Sequence, residues 1–231
     1  MDATNFRLAI LTYHHVSDEI DYYTCVREKH FYNQIRYFLK NFTHISLEEA
    51  FTLYKNNQDA SGKFVITFDD GYKDILPILK ELSNMHIKTT IFIPTATIGS
   101  DNRWNYKAPY ISPILTKNDM KDLVKLRHTF GSHGRTHQCL IKLSDEELLD
   151  EVAGSRNDLV EILGKSNFFF AYPFGLYNNR VKNIVKKYYS CAFATNKTAF
   201  HKNLDLFQIS RFSVNRDTHL NEIMDYLYGS G

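Results

Sequence analysis

Two pairs of side chains carry the chemistry in this sequence. Asp69 and Asp70 are adjacent acids followed by Gly71, and His133 and His137 stand four residues apart in His-Gly-Arg-Thr-His. Adjacent residues at a strand end point in different directions, so one acid can bind a metal while the other stays free. Two imidazoles four apart share one face of a helical turn and can hold one ion. Two histidines and a carboxylate around an open position make a hydrolytic metal site. The ion lowers the pKa of water toward about 7, and the free carboxylate takes a proton as that water attacks a carbonyl. Either pair alone has an ordinary reading, a solvated Asp-Asp-Gly turn or a surface turn with two histidines. Their combination points to a metal-dependent hydrolase.

For these residues to meet, the fold must gather distant segments. Apolar, β-prone runs at 7–13, 63–68, 89–93, 129–132, 168–172, 190–194 and 206–212 predict seven strands. Helical spacing predicts helices over 29–39, 118–126, 178–187 and 218–228, and one carrying Ile75, Leu76, Leu79 and Leu82. Ser46 with Glu49, and Ser144 with Glu147, are capping boxes that open two more. Repeated βα alternation argues for parallel strands with helices outside, and seven strands can close into a barrel. Four polar clusters directly follow strands: Tyr13-His14-His15, Asp69-Asp70-Gly71, His133 to His137, and Pro173-Phe174-Gly175. In such a barrel these positions share one face, where active sites lie. The irregular stretch 99–113 is long for a compact domain; its Trp104 and Tyr106 could stack a sugar ring or simply pack the loop.

Composition narrows the field. The chain has 231 residues, enough for one α/β domain, and a formal net charge of +2 without a basic run, so neither nucleic acid nor an anionic membrane is indicated. Weak attraction to an anionic substrate such as a nucleotide sugar stays open. The 15 Tyr and 17 Phe read chiefly as core. Cys25, Cys139 and Cys191 are odd in number, widely spaced and without a CxxC pair, as expected of reduced thiols. No signal-like start and no run of about 20 apolar residues occurs, which leads to the expectation of a cytoplasmic protein without an integral membrane span.

Thr67-Phe68-Asp69-Asp70-Gly71 resembles the first motif of the polysaccharide deacetylases, the NodB-homology family or carbohydrate esterase family 4. Ser132 to His137 is similar to the second motif, with the resemblance continuing through 140–148, and Ala171-Tyr172-Pro173-Phe174-Gly175 is similar to the third. The resemblance implies a single NodB-homology domain over 1–231, a distorted (β/α)7 barrel, that hydrolyses N-acetyl groups from amino sugars. It assigns Asp69 as base and Asp70, His133 and His137 as ligands of a divalent ion, Zn2+ foremost, with Co2+ or Ni2+ as alternatives. It also implies an amino-sugar glycan, lipid-linked or nucleotide-sugar substrate. Tyr172, Pro173, Phe174 and Gly175 would line the acetyl pocket, with a backbone N–H for the oxyanion.

Two departures stand out. Ala171 occupies the place of the Arg that often braces the base, and the late segment Ile209-Ser210-Arg211 lacks the His that often serves as acid. In the poly-N-acetylglucosamine subgroup the acid comes from an N-terminal Tyr-His segment, which Tyr13-His14-His15-Val16 resembles; His14 is then the acid, with a satisfied barrel histidine as the alternative. Arg211 is the candidate stand-in for the missing Arg, and with Trp104 it joins the expected substrate-binding set. The rival readings are a deformylase of an N-formyl sugar and a silent carbohydrate-binding member of the same fold.

Overall fold

The computed structural model describes residues 8–105, 108–165, 168–195 and 205–228. In chain order the elements are β1 (Ala9–Tyr13), β2 (His15–Val16), β3 (Cys25–Val26), α1 (Glu28–Asn41), β4 (Thr43–His44), α2 (Leu47–Lys55), β5 (Lys63–Phe68), α3 (Leu76–Asn84), β6 (Thr90–Ile93) and α4 (Lys117–Lys125). There follow β7 (Thr129–Ser132), α5 (Asp145–Leu149), a π-helical segment (Asp150–Gly154), α6 (Ser155–Leu163), β8 (Phe170–Ala171), α7 (Asn179–Val185), β9 (Ala192–Ala194), β10 (Ile209–Ser210), β11 (Phe212–Ser213) and α8 (Leu220–Tyr228). Among the described residues no helix is long and apolar enough to cross a membrane.

Among the described residues the ladders between strands are parallel: one sheet runs in the order β10-β9-β8-β7-β6-β5-β1-β11 with β4 added beside β5, and β2 pairs with β3 apart from it. β10 and β11 are separated only by Arg211, and one pairs with β9 while the other pairs with β1. The Arg211 N–H donates to the Ala194 carbonyl (2.9 Å) and the Val214 N–H to that of Thr12 (2.9 Å). One extended segment therefore closes the sheet into the expected seven-strand (β/α) barrel.

The period-2 alternation of strands sorts two cores. Leu8, Ile10, Val65, Phe92, Ala171, Cys191 and Phe193 fill the barrel together with Leu47 and Ala50 of α2. Leu11, Phe64, Ile66, Phe68, Ile91 and Ile93 face outward onto Phe31, Ile35, Phe38, Leu79 and Leu82 of the helices. Gly131 is required inside: a Cβ there would come 2.5 Å from the Phe92 ring. Near one end the apolar filling gives way to Thr12, Thr67, Asp69 and Arg211, all buried. The Arg211 guanidinium lies over the rings of Phe92 (4.9 Å) and Phe193 (5.9 Å), so this polar layer rests on the aromatic one.

Some boundaries differ from sequence expectation. Strand pairing at 168–172 shrinks to Phe170–Ala171, and that at 206–212 splits around Arg211. The terminal helix starts at Leu220 because Thr218 is held in a turn with Asn215. The helix opened by Ser144 is interrupted by the π segment.

Candidate active site

Asp69 continues β5 inward, its N–H donating to the Tyr13 carbonyl at 2.8 Å. Arg211 meets it in a bidentate pair, both N–H···O distances 2.7 Å, and one of those nitrogens also donates to the hydroxyls of Thr12 and Thr67 at 3.2 Å. Burial would push the Asp69 carboxyl up; the Arg211 charge, then His133, hold it below the usual carboxylate range. Arg211 itself is 1% exposed and lies beneath Asp69, away from the cavity wall. It braces Asp69, as expected of a stand-in for the missing Arg, and its expected place among the substrate contacts is corrected: its two terminal nitrogens are turned to the carboxylate and the two threonines.

Asp70 and Gly71 both adopt left-handed backbone, φ +67° each. A non-glycine residue there is strained, and such strain concentrates at functional sites. The turn sends Asp70 away from Asp69 toward the histidines. Asp70 Oδ1 lies 3.2 Å from His137 Nε2 and 3.6 Å from His133 Nε2. His133 Nδ1 is 2.8 Å from the Ala171 carbonyl, so it carries the proton and leaves Nε2 as a donor atom toward Asp70. Burial pulls His133 down to about 4, which keeps it neutral, as a ligand must be. Burial would raise Asp70, but His137 first, with His14 and His133, holds it far below its ordinary range. One ligand atom from each of the three residues lies within 4.8 Å of the others, and Asp70 Oδ1 is buried without a hydrogen-bond partner. A buried anionic oxygen facing two imidazole nitrogens fits a divalent cation.

The histidines do not share a helical turn. Residues 133–137 form a loop, with Gly134 at φ +77° and His137 at φ +60°. The four-residue spacing reflects a loop that folds back on itself, not helical periodicity.

A cavity of about 630 Å³ opens above these groups. Asp69, Asp70, His133 and His137 are in its wall, together with His14. Burial pulls the His14 imidazole below its usual range, against Asp70 and Asp69, which pull it up. The neighbouring His15 turns away: its Nδ1 is 2.9 Å from Asp74, and its ring stacks on Tyr72 at 3.7 Å. Tyr172, Phe174, Gly175 and Trp104 also line the cavity. Pro173 does not; it is buried behind the turn, which corrects its expected role as a contact. Phe174, at φ +60° and 59% exposed, stands edge-on to His137 at 4.7 Å. Trp104 lies 5.4 Å from the same ring. Tyr106 lies outside the described residues.

The family model described as polysaccharide deacetylase matches residues 56–190, more than half of the 231. The chain belongs to that family. The chain is 25% identical over 228 residues to a poly-beta-1,6-N-acetyl-D-glucosamine N-deacetylase of Staphylococcus aureus (strain MRSA252), covering 92% of this chain and 75% of that protein. Among solved structures, the Streptococcus pyogenes deacetylase PplD in complex with acetate superposes with a TM-score of 0.80 at 22% identity, covering 96% and 98% of the two chains. IcaB from Ammonifex degensii superposes at 0.79 with 19% identity, covering 96% of each. Both share the fold.

Sequence reasoning missed several cavity residues of this deacetylase. Tyr22, Tyr23 and Thr24 come from the short β2–β3 excursion, and Ser213 and Asn215 from the segment that closes the barrel. No periodicity marks them. Asn105, also in the wall, donates to the Tyr22 hydroxyl at 3.4 Å, and Arg216 donates its N–H to the Tyr23 carbonyl at 2.9 Å. The tyrosine loop is therefore tied down on both sides, leaving Tyr23 63% exposed at the cavity.

Proposed function

We propose that this deacetylase hydrolyses the N-acetyl group of N-acetylglucosamine units in a glycan, using a divalent ion held by Asp70, His133 and His137. The observation that carries the reading is a charged carboxylate outside the ligand set, Asp69, braced by Arg211 next to the three ligand side chains in an open cavity. The relative named for poly-beta-1,6-N-acetyl-D-glucosamine supports an amino-sugar polymer as the substrate class.

A divalent ion bound there, Zn2+ foremost, supplies Lewis-acid activation of a water and of the acyl carbonyl. Asp69 takes the proton as the water attacks; its ionised form is the one Arg211 favours. The Gly175 N–H is already spent on the Tyr172 carbonyl at 2.9 Å, so the donor left at this turn for the oxyanion is the Phe174 N–H. His14, in the same cavity wall, delivers a proton to the departing nitrogen. Phe174, Trp104 and Tyr23 offer aromatic faces for the sugar rings.

Replacing Asp69 with Asn tests the assignment. Asp69→Asn is expected to retain the ion and lose about 10²- to 10⁴-fold in acetate release. Near wild-type turnover would mean that another group is the base.

A further inference from the structure

The carbonyls of the loop joining His133 to His137 accept from the Thr95 N–H (3.2 Å, Gly134) and the Ala96 N–H (2.8 Å, Arg135), while the N–H groups of Arg135 and Thr136 converge on one buried acid, Glu151. Glu151 is 3% exposed. Its carboxylate accepts from the Arg135 N–H at 2.7 Å, from the Thr136 N–H at 3.1 Å to each oxygen, and from the Thr136 hydroxyl. Successive backbone N–H groups converging on one anion make a preorganised cradle. Here the cradle is the loop itself, and the anion is a side chain of the adjacent helical segment.

Three further features serve this contact. Gly134 sits at φ +77°, and a Cβ there would come 2.8 Å from Glu151 Oε2. Gly154, on the helical side, would place a Cβ 3.0 Å from Arg135 Cδ. Glu151 also lies in the π segment between α5 and α6, a local widening that recurs at functional sites. Asp150, the residue before it, meets the Arg135 guanidinium at 3.0 and 3.1 Å, so both adjacent acids address the same loop.

The consequence falls on the histidines. His137 holds left-handed backbone, a strained conformation that persists only where neighbours over-determine it. The residues that precede it are the ones that Glu151 pins. We infer that Glu151 is a positioning residue: by fixing Arg135 and Thr136 it sets the approach of His133 and His137 to each other, and so the affinity of the site for its ion, without touching substrate. This rests on the reading of Asp70, His133 and His137 as metal ligands.

The test is a Zn2+ titration of chelator-stripped protein in competition with a chromophoric chelator. Glu151→Gln replaces one acceptor oxygen by an NH2 that faces the loop's donors. Its Zn2+ affinity should fall about 10- to 100-fold while the variant stays folded by circular dichroism. Leu159→Ala, which deletes a fully buried side chain of the adjacent α6, is the stability control; it should lower the Tm and keep wild-type affinity. A folded Glu151→Gln with wild-type affinity overturns the inference, as does an equal loss in Leu159→Ala. If Glu151→Gln does not fold, Glu151→Asp, which keeps the charge but shortens its reach, is read by the same criteria. Wild-type protein that binds no Zn2+ would sink the metal reading and this inference with it, an outcome distinct from the other two.

Discussion

Removing the Arg211 guanidinium should expose how Asp69 is kept ionised. Arg211→Met retains much of the apolar bulk over Phe92 and Phe193 but deletes both 2.7 Å contacts to Asp69 and the links to Thr12 and Thr67. Breaking a buried ion pair from one side costs about 3–5 kcal/mol, because the remaining charge is left uncompensated. For a chain of this size that is a Tm loss of about 6–20 °C at neutral pH. The sign of the pH dependence follows from Asp69. In the wild type its folded pKa is depressed, so its contribution is present above the unfolded pKa near 3.9 and is lost as pH falls through the lower folded value. In Arg211→Met, burial dominates and the folded pKa rises above the unfolded one; the penalty is then full at neutral pH and is relieved as the carboxyl protonates. The Tm difference between wild type and variant should therefore shrink from pH 7 to pH 4, and the acid limb of the variant's kcat/KM profile should move to higher pH. Differential scanning calorimetry at both pH values measures the first, and an acetate-release profile the second. A Tm difference unchanged with pH would refute the reasoning and leave lost packing as the whole effect.

Other substitutions separate roles within the site. His14→Ala should keep the ion and the fold but lose turnover, whereas His15→Ala should keep most turnover and lose about 1–3 kcal/mol of stability with its Asp74 contact; metal content, melting and initial rates read both. Tyr23→Ala should raise KM for N-acetylglucosamine oligomers about 2- to 10-fold, the value of one aromatic platform, with kcat little changed.

Much of the framework was legible from local pattern. Seven β-prone runs each correspond to barrel strands, and the capping boxes at Ser46 and Ser144 open helices as expected. Asp69, Asp70, His133 and His137 were legible because they follow strands whose ends a barrel must bring together. What stayed hidden depends on long-range contact or on backbone that side-chain spacing does not encode. Arg211 was named as a stand-in for the missing Arg only through the resemblance; its bidentate geometry and its burial beneath Asp69, 142 positions away in sequence, depend on ring closure by β10 and β11. The helical reading of His133 and His137 failed because Gly134 and His137 take positive φ, under restraint from Glu151 in the next helical segment. Tyr22 and Tyr23 sit in an excursion too short and irregular to carry a period.

The most direct measurement is acetate release from β-1,6-linked N-acetylglucosamine oligomers by purified protein, before and after chelation and again after Zn2+ is restored. The account predicts one acetate for each free amine formed, activity abolished by the chelator and recovered with Zn2+, and no recovery in His137→Ala. Undiminished release by metal-free protein, or no release at full Zn2+ occupancy from any N-acetylated amino-sugar polymer, would contradict it.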